Sequence, residues 1–128
     1  VETGRALATA GLHPATGGTG EDACSGDMLL EALAACSGVT LKAVATAMGI
    51  DIREGTVTAE GDLDFRGTLG VSKEAPVGFT DIRLKFVLDT EASDEQLNNL
   101  LRLSERYCVI YQTLKQPPQL HLERQRPA

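Results

Sequence analysis

Three cysteines are the residues of this sequence best suited to covalent chemistry. Cys36 lies in LEALAACSGVTLKAVA, a run that otherwise has the character of a buried helix. Cys108 lies far downstream in ERYCVIYQTL. A cysteine thiolate can attack a peroxide and become a sulfenic acid, which a second cysteine captures as a disulfide. If the segments that carry Cys36 and Cys108 pack together, the sequence predicts such a redox pair, and the apolar neighbours would suit an organic hydroperoxide.

Inert thiols are the alternative interpretation, because cysteine is among the residues most often buried in protein cores. Cys36 lies in the middle of its predicted helix, so the N-terminus of that helix cannot lower the pKa of its thiol. Lys42 is predicted to point to another face. We therefore expect any activating cation to come from another segment or another subunit. Cys24, in the loop before the helix, is interpreted as an incidental exposed thiol.

Metal binding and hydrolytic chemistry find little support in the sequence. The available nitrogen and sulfur ligands are not paired at CxxC or HxxxH spacing. These residues are His13, Cys24, Cys36, Cys108 and His121. The motif ACSGVT also differs from the GxSxG of a serine nucleophile. We expect no metal and no tightly bound cofactor.

The composition is that of an ordinary water-soluble domain. The 128 residues fit one domain, with 42% hydrophobic and 23% charged residues and a net charge of −6. The acidic balance argues against nucleic-acid binding, and the absence of tryptophan argues against base stacking. The odd number of cysteines and the lack of a signal-peptide pattern in VETGRALATA predict a cytoplasmic protein with reduced thiols.

A long helix over residues 27–48 is predicted to position Cys36. Ser25 is a suitable N-cap and Gly49 a suitable C-terminal stop. The interior is apolar or small nearly all round, which predicts burial on most sides. Charged residues interrupt the run and small residues outnumber large ones, which favours a core helix approached closely by another helix over a membrane span.

A second helix is predicted to begin after Ser93, where the sequence S-D-E-Q fits a capping box. Its inner face is predicted to consist of Leu97, Leu100, Leu101 and Ser104. At about 100° per residue, Cys108 returns to that face if the helix extends so far. The prolines that follow Gln116 end helical structure.

Alternation of apolar and polar residues predicts the strands. TVTAEGDLDF, which ends at Phe65, and DIRLKFVLD are expected to form an antiparallel pair that covers the long helix. We also expect a hairpin over residues 1–10, a loop over residues 11–26, and a closing strand that contains Leu120 and Leu122. The order β, α, β, β, α, β predicts an α+β domain.

Taken in order, GGTG…SGDMLLEALAACSGVTL, VTAEGDLDFRGTLG, GFTDIRLKFVLD and SDEQLNNLLRLSERYCVIYQTL resemble the osmotically inducible protein C / organic hydroperoxide resistance (OsmC/Ohr) family. The resemblance implies one OsmC-like domain over residues 1–128, with antiparallel sheets packed around two main helices in an intertwined homodimer. It implies a thiol peroxidase that reduces organic hydroperoxides to alcohols, with Cys36 as the peroxidatic and Cys108 as the resolving cysteine. An external dithiol, often a lipoyl group, would then reduce the disulfide.

The sequence departs from that family's pattern near the thiol. Active members use an N-terminal arginine and a glutamate about ten residues before the peroxidatic cysteine. Gly26 stands at that place, Asp27 is adjacent, and Glu31 lies closer to Cys36. Arg5 is the only arginine before Cys36. These departures support a second hypothesis, a non-catalytic OsmC-like dimer that binds small apolar ligands.

Overall fold

A computed structural model describes residues 10–11 and 23–127 of this chain. Two short strands, β1 (Ala10–Gly11) and β2 (Ala23–Cys24), pair in parallel ahead of the first helix. The hairpin expected over residues 1–10 and most of the loop expected over residues 11–26 lie outside the described residues. The remaining elements are α1 (Ser25–Met48), β3 (Ile52–Leu63), α2 (Phe65–Thr68), β4 (Phe79–Thr90), α3 (Asp94–Tyr107) and α4 (Val109–Lys115).

The long helix α1 is confirmed, with a different start. Cys24 is its N-cap in an extended conformation and makes no side-chain capping bond, whereas Ser25 is already helical. The prediction of Ser25 as the N-cap is therefore wrong. Gly49 ends the helix as predicted, because its φ of 70° lets its N–H reach the carbonyls of Ala45 and Thr46.

The predicted antiparallel pair is confirmed as β3 and β4. Their register places Val57 opposite Phe86 and Ala59 opposite Leu84. Apart from the exposed Val87, the apolar side chains of both strands are half-buried, whereas the polar residues that alternate with them are mostly exposed. The prediction that Phe65 continues this strand is wrong, because β3 ends at Leu63. The side chain of Asp64 accepts a hydrogen bond from the Arg66 N–H and starts the single helical turn α2.

The helix α3 has the predicted capping box. The Ser93 hydroxyl accepts a hydrogen bond from the Gln96 N–H, and the Gln96 side chain accepts one from the Ser93 N–H. Leu100 is completely buried, as predicted for the inner face, but Leu101 is partly exposed where it lines a pocket described below. The helix ends at Tyr107, one residue short of Cys108.

The helical structure expected before the prolines is divided in two, because a separate short helix, α4, begins directly after Cys108 and ends at Lys115 with Gln116 as its C-cap. The predicted closing strand is wrong for the chain as described, since residues 116–127 form neither helix nor strand. Leu120 and Leu122 are almost fully exposed there. The observed order is β, β, α, β, α, β, α, α, which confirms the predicted α+β class.

The core lies where α1 meets α3 and β3. Four buried side chains form its centre, namely Leu41, Ala45, Ile50 and Leu100. By length and composition alone, α1 could also cross a membrane, but the core helices of water-soluble domains pass the same test. It packs against α3 and β3, so this helix positions Cys36 against the rest of the domain.

The helix caps predict how two serines differ in their effect on stability. Replacing Ser93 with Ala removes a capping bond and is expected to lower the free energy of unfolding by about 1 kcal/mol. Ser25→Ala removes no capping bond, so we expect a change of less than about 0.5 kcal/mol. Urea denaturation of both variants would check this, and an equal loss in both would contradict the cap assignment.

Candidate thiol site at the start of α4

Cys108 stands at the break between α3 and α4. Its backbone is extended, with φ −78° and ψ 113°, so it ends one helix and serves as the N-cap of the next. The Cys108 sulfur accepts a hydrogen bond from the Tyr111 N–H at 3.5 Å. The side chain is only 1% exposed and forms no disulfide. The predicted burial is correct, but the cause is the capping geometry and not a continuous helix.

The Cys36 thiol lies against the first turn of α4. It accepts hydrogen bonds from the backbone N–H groups of Ile110 and Val109, and side-chain hydrogen bonds join it to Cys108 and Thr40. These bonds lower the pKa of Cys36, with the Ile110 N–H as the largest cause and burial of the thiol as a smaller opposing effect. These interactions favour the thiolate form of Cys36 over that of an ordinary thiol.

The source of this activation differs from the expected cation. The first N–H groups of a helix lack partners within that helix and carry partial positive charge. Here those N–H groups belong to α4. Cys36 lies in the middle of α1, but its thiol faces the N-terminus of this other helix. Activation from another segment was expected, but from a cation; the structure has backbone N–H groups there, on a helix that was not predicted separately.

Two further side chains beside the thiols were missed. The hydroxyl of Thr40, four residues after Cys36, bonds to the Cys36 thiol, and this spacing along one helix was a usable signal. The Ser37 hydroxyl and the Cys108 sulfur lie 3.5 Å apart in a buried hydrogen bond. No sequence signal pointed to this second contact, because it joins segments that are distant in the chain.

The other candidate residues lie away from this cluster or outside the described chain. Asp27 and Glu31 are exposed, and within the part of the chain that the structure describes neither is a partner of Cys36. Cys24 is a half-buried free thiol at the start of α1, and His121 is exposed. Arg5 and His13 lie outside the described residues. Among residues 10–11 and 23–127, no three His, Cys, Asp or Glu residues gather as metal ligands.

A pocket of about 570 Å³ opens beside the cysteines, between α1, β4, α3 and α4. Ser37 and Tyr111 line it. The Tyr111 N–H donates to the Cys108 sulfur, and the Ser37 hydroxyl is hydrogen-bonded to the same sulfur. Its wall is largely apolar, formed by Leu33, Phe79, Ile82, Leu84, Phe86, Leu101 and Leu114. Glu105 and Lys115 form an ion pair at 3.2 Å on the same wall. The pocket could admit a small, mostly apolar molecule.

The hydrogen bonds to Cys36 predict its pH-dependent reactivity. Because the pKa of Cys36 is lowered, its alkylation by iodoacetamide should stay fast at pH values where an ordinary thiol is protonated, and should fall only below that lowered pKa. Cys108→Ala removes a smaller cause than the Ile110 N–H, so the pKa should rise only part of the way. Rates measured against pH by mass spectrometry, with Cys36→Ser as the blank, would contradict this if Cys36 behaved as a free cysteine.

Comparison with known proteins bears on this site. The sequence profile described as OsmC-like protein matches residues 18–123. The chain is similar to the OsmC-like protein of Mycoplasma pneumoniae, with a TM-score of 0.68 and 20% identity over 77% of this chain and 67% of that one. It is similar to a protein described as an organic hydroperoxide resistance protein OsmC from Legionella pneumophila, with a TM-score of 0.66 and 18% identity over 83% of this chain and 72% of that one.

A Vibrio cholerae protein described as a putative organic hydroperoxide resistance protein, with captopril bound in one of its active sites, is similar at a TM-score of 0.60. It is 18% identical over 84% of this chain and 68% of that one. A comparison with curated proteins gives no match. At identities this low, the structural similarity shows a shared fold alone. The profile adds the family, because it matches residues 18–123, which is most of the sequence. The chain therefore belongs to the OsmC-like family.

Proposed function

We propose that this protein is a thiol-dependent peroxidase that reduces organic hydroperoxides and serves in oxidative stress defence. The proposal is carried by the placement of the Cys36 and Cys108 thiols near each other at the start of α4, where the Ile110 N–H, with smaller contributions from the Cys108 side chain and the Val109 N–H, lowers the pKa of Cys36. A nucleophilic thiolate with a second thiol in contact is the arrangement that a two-cysteine cycle needs. Family membership supports it, as do neighbours named for organic hydroperoxide resistance.

The cycle has two chemical steps. The Cys36 thiolate attacks the outer oxygen of the hydroperoxide, the O–O bond breaks, and the alkoxide takes a proton to leave as an alcohol. Cys36 is then a sulfenic acid, oxidised by two electrons. The Cys108 thiol attacks that sulfur, the S–O bond breaks, and the proton of Cys108 leaves with hydroxide as water. A Cys36–Cys108 disulfide results.

Burial indicates how the disulfide would be reduced. Cys36 is half-buried, whereas Cys108 is almost completely buried. An external dithiol, such as a lipoyl group, can therefore reach the Cys36 sulfur more easily and would displace Cys108 as the leaving thiol. A cytoplasmic location suits this cycle, because thiols are kept reduced there. No bound cofactor is required.

A homodimer is part of the proposal, because the single chain leaves an apolar face of α1 uncovered. Four exposed side chains lie on this face at helical spacing, namely Ala32, Ala35, Val39 and Ala43. Small side chains on a helix permit close approach of a second helix. A second copy of the chain would cover this face and remove it from water.

A second candidate function is supported by the pocket. A non-catalytic dimer that binds small apolar ligands would use the same apolar wall without any reaction at Cys36. The two functions differ in one measurable property. Turnover of an organic hydroperoxide that depends on Cys36 rules out the non-catalytic version, whereas ligand binding without turnover supports it.

Cysteine variants predict separate steps of the cycle. With one equivalent of cumene hydroperoxide, the parent protein should lose two thiols rapidly. Cys108→Ser should stop at a sulfenic acid that dimedone traps, and Cys36→Ser should lose its fast reaction because the nucleophile is gone. Cys24→Ser is the matched control and should react like the parent. Thiol counts and mass spectrometry would overturn the peroxidase if the parent reacted only as slowly as free cysteine.

Charge on the exposed face of α1 should dissociate the dimer. Val39 is 72% exposed in the single chain, and Val39→Glu would bury a carboxylate at the proposed interface. Val71 lies in the loop before β4 and is 74% exposed, which makes Val71→Glu the matched control. Sedimentation velocity should show a monomer for the Val39 variant and a dimer for the control. A monomeric parent, or a dimeric Val39 variant, would refute the proposed interface.

A further inference from the structure

A buried serine lies beside the cysteine pair. The Ser37 hydroxyl and the Cys108 sulfur are 3.5 Å apart, although 71 residues separate them in the sequence. Ser37 is 2% exposed and Cys108 is 1% exposed, so water competes little for this bond. Ser37 follows Cys36 directly, but a helix turns by about 100° per residue, and the two side chains therefore approach Cys108 from different sides.

The partners of Cys108 indicate the direction of this bond. The Tyr111 N–H can only donate, so the Cys108 sulfur is the acceptor in that bond. In the bond between Ser37 and Cys108 either group can be the donor. Once Cys108 loses its proton to become the nucleophile, its sulfur can only accept, so the Ser37 hydroxyl, which rotates to suit its partner, then donates to it.

We propose that Ser37 is a positioning residue that holds the Cys108 sulfur, together with the Tyr111 N–H, and stabilises its negative charge while it attacks the Cys36 sulfenic acid. This inference rests on the proposed two-cysteine cycle. In that step the Cys108 S–H loses its proton, the S–S bond forms, the S–O bond of the sulfenic acid breaks, and the proton and hydroxide leave as water. Both groups are already hydrogen-bonded to the sulfur, so little reorganisation is needed as the charge develops.

The inference separates the two steps of the cycle. Attack on the hydroperoxide is made by Cys36, whose hydrogen bonds come from Ile110, Val109, Thr40 and Cys108. The Ser37 hydroxyl bonds to the Cys108 sulfur and is not among the groups that act on the Cys36 pKa. Loss of its hydroxyl should therefore leave the first step nearly unchanged and slow the closure of the disulfide. A serine that served packing alone would affect both steps or neither.

The first test compares Ser37→Ala with Ser104→Ala. Ser104 is equally buried and lines the same pocket, but its hydroxyl donates to the Leu100 carbonyl within its own helix. After cumene hydroperoxide, Ser37→Ala should form the sulfenic acid within about twofold of the parent rate and close the disulfide at least about tenfold more slowly, since bonds to charged groups are the stronger ones. Dimedone should trap more sulfenic acid in this variant. Ser104→Ala should close the disulfide at the parent rate, because its hydroxyl makes no bond to either sulfur.

A second pair of variants guards against changes in packing. Ser37→Thr keeps the hydroxyl, whereas Ser37→Val introduces a side chain of the same shape as threonine without the hydroxyl. Closure of the disulfide should therefore stay fast in the Thr variant and become slow in the Val variant. Equal closure rates in this pair would overturn the role of the hydroxyl. Closure in Ser37→Ala as fast as in the parent, or equal slowing in Ser104→Ala, would overturn it as well.

Oxidation with diamide tests the role of Ser37 independently of the proposed peroxidase activity. The Cys36 thiolate adds to the diamide N=N bond, and Cys108 then attacks the Cys36 sulfur and displaces the reduced hydrazine, which closes the same disulfide without peroxide. If the parent ignores hydroperoxide but Ser37→Ala closes slowly with diamide, the peroxidase proposal fails and the role of Ser37 stands. If diamide closes no Cys36–Cys108 disulfide in the parent, the role of Ser37 is refuted.

Discussion

The site depends on the free N–H groups at the first turn of α4. In one continuous helix, the N–H groups of Val109 and Ile110 would bond carbonyls four residues earlier and would be lost to any other acceptor. The extended backbone at Cys108 breaks the helix and frees them for the Cys36 thiol. The break is itself stabilised, because the Gln112 side chain donates to the released carbonyl of Glu105 at 2.9 Å.

Cys108 combines a structural and a proposed chemical role in one sulfur. As the N-cap of α4 it accepts a hydrogen bond from the Tyr111 N–H, and as a neighbour of Cys36 it helps to lower the pKa of the thiol that would become oxidised. Among the described residues, the interactions that lower the pKa of Cys36 outweigh the effect of burial, and the Ile110 N–H is the largest of them.

In the proposed dimer, burial of the exposed apolar face of α1 and the geometry of the thiol site depend on the same interface. Among the described residues, the main core cluster has four buried apolar side chains at its centre, while much of α1 is uncovered. A chain of this size normally buries most of its apolar surface when it folds. A second copy on α1 would complete the core and would fix the helix that carries Cys36, so dimerisation and thiol geometry would be coupled.

Local patterns in the sequence determined the α+β class, the long helix and its stop at Gly49, the β3–β4 pair, the Ser93 capping box and the two candidate cysteines. These features depend on neighbouring residues, through period-two or helical periodicity, φ preference and capping. Only the tertiary structure decided that Cys108 breaks the helix, that α4 points its N–H groups at Cys36, and that Ser37 meets Cys108. Each of these contacts joins residues distant in the chain, and its geometry depends on how α1 packs against the α3–α4 junction, which no local pattern specifies.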